Sequence, residues 1–442
     1  MADLSTHFAG IRCPNPFWLA SGPPTNCGEQ VMRAFDAGWG GAVWKTIGEP
    51  IVNVSSRYSS VDWNGQRMMG LNNIELISDR PINVNLREIA EVKKLYPDRA
   101  VIASLMVESK RKAWHEIVKR TEDAGADALE LNFGCPHGMS ERGMGSAVGQ
   151  VPEYTAMITG WVKEVARTPV LVKLTPNITD IRAVARAAKR GGADGLSAIN
   201  TINSITGIDL DTLTPRPDVG GYSAHGGYCG PAVKPIALHL VQQIAADREI
   251  GLPISGIGGI EGWREAAEFM LLGCGTAQVC TAVMHRGYRI VEDMIDGLSN
   301  WMDERGFSKL DDFRGRSLPR VTDWKHLDLN YKIVARIHEE KCIGCDLCYI
   351  ACWDGAHQCI HLDGHLDPPA VEAASRARIT VTPVAKLDSG GMEAAKRIPW
   401  VDGAECVGCN LCWLVCPVPG CISMERVDSG DQPESWDRRA KS

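Results

Sequence analysis

Eight short apolar runs, each followed by a longer amphipathic segment, constrain the fold of this chain more than any other feature. Runs this short and this apolar are typical of buried parallel strands. Segments between them, such as 84 to 96 and 179 to 190, have helical periodicity. Eight strand and helix units between residues 10 and about 300 predict an α/β fold of the (β/α)8 TIM barrel type. The runs are FWLASG, GAVWKT, VIASLM, ALELN, VLVKL, GLSAIN, PISGIGG and AQVCTAV.

An open doubly wound sheet is the alternative for such an alternating pattern. That fold normally carries a Gly-x-Gly-x-x-Gly motif directly after its first strand. The sequence after FWLASG contains no such motif, so the barrel is the favoured prediction.

Eight of the sixteen cysteines form two clusters of identical spacing near the C-terminus. Both obey Cys-x2-Cys-x2-Cys-x3-Cys, and Pro417 follows the second, as in bacterial two-cluster ferredoxins. In that signature the fourth cysteine ligates the other cluster. Zinc is the alternative, but one zinc ion needs only four ligands. Cys359 and Cys421, which follow the two motifs, are expected to pack near the clusters. We therefore expect one [4Fe-4S] cluster on Cys342, Cys345, Cys348 and Cys416, and a second on Cys406, Cys409, Cys412 and Cys352.

The change in sequence type at the cysteine motifs predicts the domain organisation. We expect the barrel over residues 1–300, a connector over 301–335, a ferredoxin-like domain over 336–428 and a polar tail over 429–442. The spacer between the two motifs is longer than a compact ferredoxin needs. It predicts an insertion at about 361–400.

Composition and charge favour small-molecule chemistry. The formal net charge is −7 and the charges are interspersed, whereas a nucleic-acid-binding protein would carry a concentrated basic stripe. The N-terminal residues do not resemble a secretory leader, and no apolar run reaches membrane-spanning length. We expect a cytoplasmic protein that binds neither nucleic acid nor membrane.

Polar residues at the ends of the predicted strands indicate a flavin site, because barrel enzymes act at the C-terminal ends of their strands. Glycines after the seventh strand (Gly258, Gly259) and a hydroxyl after the eighth (Thr281) suit the phosphate of a flavin mononucleotide (FMN). Lys45 and Lys173 could stand against the flavin N1 and O2 edge, where positive charge stabilises the anionic reduced form. A salt bridge at the barrel mouth is the alternative for each lysine.

Three asparagines and a threonine follow strand-like runs and could read a planar ring. An amide offers a donor and an acceptor side by side, which suits alternating carbonyl and N–H groups. Each residue alone could be a cap or a turn residue, but together they favour a pyrimidine site. These residues are Asn73, Asn132, Asn200 and Thr201.

A lone thiol stands in the glycine- and methionine-rich stretch NFGCPHGMSERGMGSAVGQ, residues 132–150. Cys135 directly follows the fourth predicted strand, and the glycines after it are typical of a closing loop. A thiol there can exchange a proton with a substrate carbon once the loop closes. Inert packing is the usual role of a single cysteine, and Pro136 and His137 favour a lid instead.

Long motifs identify the chain as resembling the dihydropyrimidine dehydrogenase family. It is similar to the pyrimidine-reducing subunit of the bacterial NAD-dependent enzymes and to the C-terminal half of the larger animal enzyme. The resemblance covers nearly the whole length. Its motifs are NPFWLASG, AGWGGAVWKT, NNIELIS, ADALELNFGCPHGMSERGMGSAVGQ, VKLTPNITDI, GGADG, INT, HGGYCGPAVKPIAL, GIGGI, QVCTAV and the paired cysteine clusters.

The resemblance implies FMN in the barrel, a site for uracil or thymine that meets Asn73, Asn132, Asn200 and Thr201, and Cys135 as general acid. Gly134 departs from members that have serine there, which puts one pyrimidine contact in doubt. Class 1 dihydroorotate dehydrogenases are also similar, but usually lack the histidine-containing loop and the fused cysteine clusters. The implied FMN contacts are Ala20, Lys45, Thr46, Lys173, Gly227, Gly258, Gly259, Cys280 and Thr281.

The implied activity is that of an oxidoreductase acting on CH–CH bonds, a dihydropyrimidine dehydrogenase that interconverts uracil or thymine and their 5,6-dihydro forms in pyrimidine catabolism. Electrons would cross two [4Fe-4S] clusters. Because the chain has no Gly-x-Gly-x-x-Gly unit, NAD(H) and FAD are expected on a partner subunit of a hetero-oligomer. Two alternatives are a flavoenzyme acting on dihydroorotate or another cyclic amide, and a ferredoxin-type electron carrier with an inactive barrel.

Overall fold

A computed structural model describes residues 2–49, 52–63, 65–362, 398–428 and 430–440 of the 442-residue chain. These residues form two compact units, one ending at Val321 and the other beginning at Thr322. Almost all of the insertion predicted at about 361–400 lies outside the described residues. Within them, no helix is long and apolar enough to cross a membrane.

The first unit contains the predicted barrel. Its eight parallel strands close in the order β10, β13, β14, β3, β4, β7, β8, β9, which excludes the open sheet. Each barrel strand coincides with one of the eight apolar runs, because strands covered on both faces require continuous apolar sequence. The strands of this unit are β1 (Thr6–Phe8), β2 (Ile11–Cys13), β3 (Phe17–Leu19), β4 (Gly41–Ile47), β5 (Tyr58–Trp63), β6 (Gln66–Asn73), β7 (Ala100–Leu105), β8 (Ala128–Asn132), β9 (Val170–Lys173), β10 (Gly195–Ala198), β11 (Ile202–Ser204), β12 (Gly226–Cys229), β13 (Ile254–Ile257) and β14 (Thr276–Val279).

Helices surround the barrel and bury one apolar face each. In the helix over Ile181–Arg190, Asp180 caps the N-terminus by accepting a 3.0 Å hydrogen bond from the Arg182 amide. Ile181 and Val184 of this helix are fully buried. The helices are α1 (Gly28–Ala37), α2 (Ile82–Leu95), α3 (Arg111–Asp123), α4 (Ser146–Gly149), α5 (Pro152–Lys163), α6 (Ile181–Arg190), α7 (Lys234–Ala246), α8 (Trp263–Leu271), α9 (Thr281–Arg286) and α10 (Ile290–Arg305).

The two ends of the barrel are covered differently. At the N-terminal end, the β1–β2 hairpin packs Phe8 edge-on against Trp18, with ring centroids 5.4 Å apart. The segments after β4 and β10 form a four-stranded antiparallel sheet in the order β11, β12, β6, β5. Because these segments leave the C-terminal ends of their barrel strands, the sheet stands beside the end where barrel enzymes bind substrates.

The segment after residue 300 packs with the barrel unit as far as Val321. Helix α10 continues to Arg305, and Leu310 and Phe313 beyond it are buried. Trp301 and Phe313 meet edge-on with ring centroids 5.0 Å apart. Residues 301–321 therefore belong to the first unit, whereas 322–335 belong to the second.

The second unit repeats one local conformation in its two cysteine motifs. Gly344 and Gly408 both have φ +68°, and Asp346 and Asn410 also lie in the left-handed region just before a short helix. A side chain at position 408 would press against the backbone of Ile333, so glycine is required there. The elements are β15 (Lys332–Ile337), α11 (Leu347–Trp353), β16 (Ile360–His361), β17 (Trp400–Val401), α12 (Leu411–Val415), β18 (Ile422–Val427) and α13 (Trp436–Arg439), with β15 antiparallel to β18 and β16 to β17.

Candidate active site

A cavity opens at the C-terminal ends of the barrel strands, and its atom-free space, counted together with the open solvent at its mouth, is about 790 Å³. Residues predicted for the flavin and for the pyrimidine line the same cavity. These are Ala20, Asn73, Lys173, Asn200, Thr201, Gly258, Gly259, Cys280 and Thr281.

The predicted residues that do not line the cavity are connected to those that do. Asn200 Nδ2 donates to Asn132 Oδ1 at 2.9 Å, and Asn132 Nδ2 donates to Thr46 Oγ1, also at 2.9 Å. Gly227 pairs with Asn73 between β12 and β6. Asn200, Asn132 and Thr46 are thus held in one hydrogen-bonded group at the mouth of the barrel. Gly227 and Asn73 belong to the four-stranded sheet of β11, β12, β6 and β5, which we call the roof sheet.

Buried Glu75 connects Lys45 to the roof sheet. Its carboxylate accepts hydrogen bonds from Lys45 Nζ at 2.8 Å, from Arg57 Nη1 at 2.7 Å and from the Tyr58 hydroxyl at 2.6 Å. Burial of the Tyr58 hydroxyl and its bond to Glu75 raise the pKa of Tyr58. Lys45 does not line the cavity, and its ammonium is already paired.

The stretch predicted as a lid is packed closed in this structure. His137 donates from Nε2 to the Glu75 carbonyl at 2.9 Å, and the nearby Met139 and Met144 are buried. His225, from the segment before β12, lies with Nε2 3.1 Å from the Pro136 carbonyl oxygen. The loop is thereby held from two sides by segments that also build the roof.

Cys135 lies under this loop, and its thiol is held in the protonated form. Its Sγ is 3.6 Å from the His137 carbonyl oxygen. Burial raises the pKa of the Cys135 thiol to about 11, although the His137 backbone hydrogen bond and the charge of Lys173 oppose that rise. At neutral pH the side chain therefore carries a proton that it can donate.

Gly134 makes room for Asn200. A Cβ at position 134 would overlap the Asn200 side chain. The Gly134 amide instead donates to Asn132 Oδ1 at 3.2 Å. The glycine at position 134, where some family members have serine, therefore leaves the space that the Asn200 side chain occupies.

Several residues of the cavity were not predicted from the sequence. Tyr58, Leu71, Tyr228 and Cys229 come from the antiparallel roof sheet, whose strands have mixed polar sequences. Glu75 was also missed, although it lies in the motif NNIELIS. The sequence did offer one signal for Glu75. It is a carboxylate in a mostly apolar motif, two residues after Asn73, and a carboxylate is rarely buried without a partner.

The second unit gathers its cysteines as two groups. One cavity of about 330 Å³ is lined by Cys342, Cys345, Cys348 and Cys416, the first predicted quartet, and also by Cys421. In the other group, Cys352 Sγ lies 3.5 Å from Cys359 Sγ, and burial raises the pKa of the Cys412 thiol to about 11, with the neighbouring Cys409 and Cys406 adding to the rise. Among the described residues, no three His, Cys, Asp or Glu side chains are placed to hold one metal ion.

The chain is similar in sequence to dihydroorotate dehydrogenases and to dihydropyrimidine dehydrogenases. A family model described as dihydroorotate dehydrogenase matches residues 3–302. The NAD-dependent dihydropyrimidine dehydrogenase subunit PreA of Escherichia coli (strain K12) is 47% identical over 358 residues, which cover 80% of this chain and 87% of the relative.

Two further relatives represent related enzymes. The chloroplastic dihydropyrimidine dehydrogenase (NADP(+)) of Arabidopsis thaliana is 46% identical over 339 residues, 74% of this chain and 79% of the relative. The catalytic subunit of dihydroorotate dehydrogenase B (NAD(+)) of Pyrococcus horikoshii is 36% identical over 315 residues, 71% of this chain and 98% of the relative. Identity is higher to the two dihydropyrimidine dehydrogenases than to this dihydroorotate dehydrogenase.

Proposed function

The chain belongs to the dihydroorotate dehydrogenase family and is an oxidoreductase of the dihydropyrimidine dehydrogenase type, and from this we propose that it interconverts uracil or thymine and their 5,6-dihydro forms. Its electrons would pass through FMN and two [4Fe-4S] clusters to a partner subunit that binds FAD and NAD. The observation that carries the proposal is the hydrogen-bonded group of Asn200, Asn132 and Thr46 beside a cavity that Asn73 and Thr201 also line.

The cavity residues fit an FMN. Gly258 and Gly259 both have positive φ, +125° and +72°, where the chain turns after β13, which suits a close backbone approach to a phosphate. Lys173 is almost fully buried and brings a positive charge to the same cavity. Bound FMN would supply the two-electron hydride chemistry.

The asparagines would orient the pyrimidine. Asn73 and Asn200 approach from the roof sheet and from the end of β10, so a flat ring between them can meet amide donors and acceptors on its edge. Asn132 acts on this arrangement by holding Asn200. A ring with alternating carbonyl and N–H groups offers hydrogen-bond partners to these half-buried amides, whereas an analogue lacking them does not.

Cys135 would hold the proton that is exchanged with C5 of the ring. The closed loop keeps water away from the thiol, and burial keeps the thiol protonated. A buried thiol releases its proton only when a developing negative charge on the substrate accepts it, which favours a general acid over a nucleophile.

The cysteine quartets would hold the two [4Fe-4S] clusters. Cys342, Cys345 and Cys348 share a cavity with Cys416, a cysteine from the second motif, as the crossed assignment requires. The ferredoxin-like domain is proposed over residues 336–428. Cys345 and Cys409 are exposed, so each cluster would approach the surface of its unit, where electrons can leave for the partner.

Electron donors distinguish this function from its rivals. Anaerobically purified protein should contain FMN and about eight irons per chain, and dihydrouracil or dihydrothymine should bleach the flavin absorbance. Reduction by dihydroorotate alone would instead assign a dihydroorotate dehydrogenase. Protein with full iron and no flavin would identify an electron carrier.

A further inference from the structure

A cluster of polar side chains lies in the barrel interior below the cavity. TIM barrels normally fill their interior with branched apolar residues, and Val43, Ile102 and Leu171 belong to such an apolar cluster. The polar cluster differs from it. Hydrogen bonds link its buried members, which are Glu130, Ser197, Ser255, Thr276 and Gln278.

The register of β8 and β9 places Glu130 directly below the site. Glu130 and Asn132 face the same side of β8 because they are two residues apart. Asn132 pairs with Lys173 on the neighbouring strand. Lys173 Nζ lies 3.8 Å from Glu130 Oε1, and both side chains are almost completely buried.

Glu130 has few other partners. Its Oε2 accepts a long 3.4 Å hydrogen bond from Gln278 Nε2, which also donates to Ser255 Oγ at 2.9 Å. Within the described part of the chain, Oε1 of Glu130 has no hydrogen-bond donor. A buried carboxylate persists as an anion only beside a compensating charge. Within salt-bridge distance of Glu130, the described residues supply Lys173 as that charge.

We propose that Glu130 is a positioning residue that acts through Lys173: its charge offsets that of the Lys173 ammonium at the cavity floor and thereby lowers the redox potential of the bound flavin. The inference rests on the proposed function, because it requires FMN in this cavity. The negative charge of Glu130 weakens the positive potential that Lys173 exerts on the flavin. Glu130 thus keeps the reduced flavin from becoming too stable to pass its electrons on.

The midpoint potential of FMN in the anaerobic holoprotein tests this inference. The variant Glu130→Gln keeps the shape of the side chain and removes its charge. We expect its potential to become more positive by at least the equivalent of a tenfold change in the equilibrium constant, about 30 mV for a two-electron couple. The matched control is Thr276→Val. It removes the 2.7 Å hydrogen bond from Thr276 to Ser255, within the same polar cluster, and leaves the charge unchanged. It should leave the potential unchanged.

A double-mutant cycle with Lys173→Met separates an effect through Lys173 from a general disturbance of the barrel. Lys173→Met removes the ammonium whose charge Glu130 offsets, so adding Glu130→Gln in that background should no longer shift the potential. An undiminished shift in that background, an equal shift in Thr276→Val, or no shift in Glu130→Gln would each overturn the inference.

Two further readouts cover the remaining cases. If Glu130→Gln fails to retain FMN, the double variant Glu130→Gln/Lys173→Met is measured instead. Its FMN content and midpoint potential should equal those of Lys173→Met. Lower values would contradict the inference. Failure of the proposed function is distinguishable, since it would appear in the wild-type protein as absent FMN or as a flavin that dihydropyrimidines do not reduce.

Discussion

At the scale of single residues, Gly134 decides where Asn200 can stand. A Cβ at this position would overlap Asn200, which donates to Asn132 at 2.9 Å. We expect Gly134→Ser to displace Asn200 and to raise the KM for uracil about tenfold, the equivalent of one lost hydrogen bond. FMN content should not change. Steady-state kinetics and flavin absorbance measure both quantities.

The control for this substitution is Gly160→Ala in α5, where a Cβ meets no atom within 4 Å. It should leave KM unchanged and increase stability by roughly 0.5–1 kcal/mol. An unchanged KM in Gly134→Ser would show that Asn200 does not contact the pyrimidine.

Cys135 is the residue whose loss should separate proton transfer from cofactor binding. Removing a general acid typically slows turnover by about 10²–10⁴-fold, and we expect that loss in Cys135→Ala with normal FMN content. Rapid-mixing measurement of the oxidation of reduced flavin by uracil, the direction in which Cys135 donates its proton, gives the rate. The matched control is Cys274→Ala, a buried thiol of the apolar core. Normal flavin oxidation by uracil in Cys135→Ala would contradict the acid role.

At the scale of secondary structure elements, Glu75 joins strand β4, the roof sheet and the loop over Cys135. It pairs with Lys45 and Arg57 through its carboxylate and with His137 through its carbonyl oxygen. Removing one partner of a buried ion pair costs about 3–5 kcal/mol. We expect Glu75→Gln to lower the free energy of unfolding by an amount of that order, because Lys45 would be left without its counter-ion.

Denaturant unfolding of the holoprotein measures the loss. The control is Glu108→Gln, which breaks an exposed pair with Lys110 and should cost less than about 1 kcal/mol. Equal stability of the two variants would mean that Glu75 does not hold these elements together.

The closed loop should be sensitive to acid because of His137. Burial lowers the pKa of His137 below its usual 6.5, with a further lowering by His225, while the Glu75 carbonyl opposes the shift. In the described structure its Nδ1 is buried without a partner. The open loop therefore binds the proton more readily than the closed loop. The stability of the closed loop is complete above pH 6.5 and falls as the pH drops below that value.

Hydrogen exchange, corrected for the intrinsic effect of pH, checks this expectation. Protection of residues 137–145 should decrease between pH 7.5 and 5.5, whereas α6 should keep its protection. Parallel changes in both segments would indicate general acid destabilisation instead.

Sequence reasoning succeeded for elements whose sequence reflects complete burial. The barrel strands β4 and β7 are buried at every position, so they appear as predominantly apolar runs in which a polar residue such as Lys45 marks the site. The roof strand β5, with the sequence YSSVDW, alternates between partly buried and exposed residues and resembles a loop. The Glu75 contacts depend on the pairing of β5 with β6, which the sequence pattern does not specify.

At the scale of the whole molecule, the two units have different origins of stability. The barrel unit has a large apolar core that extends to Phe313. The second unit is built around cysteines, which make up most of its fully buried apolar side chains in the described residues. Cysteine spacing predicted a separate domain from residue 336, but the residue at which the units divide depends on the packing of Trp301 and Phe313, which spacing does not reveal.

The last prediction concerns the partner. The proposed function places NAD(H) on another subunit, since this chain has no dinucleotide-binding Gly-x-Gly-x-x-Gly motif. Isolated holoprotein should therefore be reduced by dihydrouracil within its turnover time but should remain oxidised with NADH. Adding the NAD- and FAD-binding subunit should restore reduction by NADH, as followed by flavin absorbance under anaerobic conditions. Because the proposed electron path crosses the second unit, Cys345→Ser, which would remove an exposed ligand of a proposed cluster, should abolish the NADH reaction of the complex while dihydrouracil still reduces the FMN. Reduction of the isolated chain by NADH would contradict this division of labour.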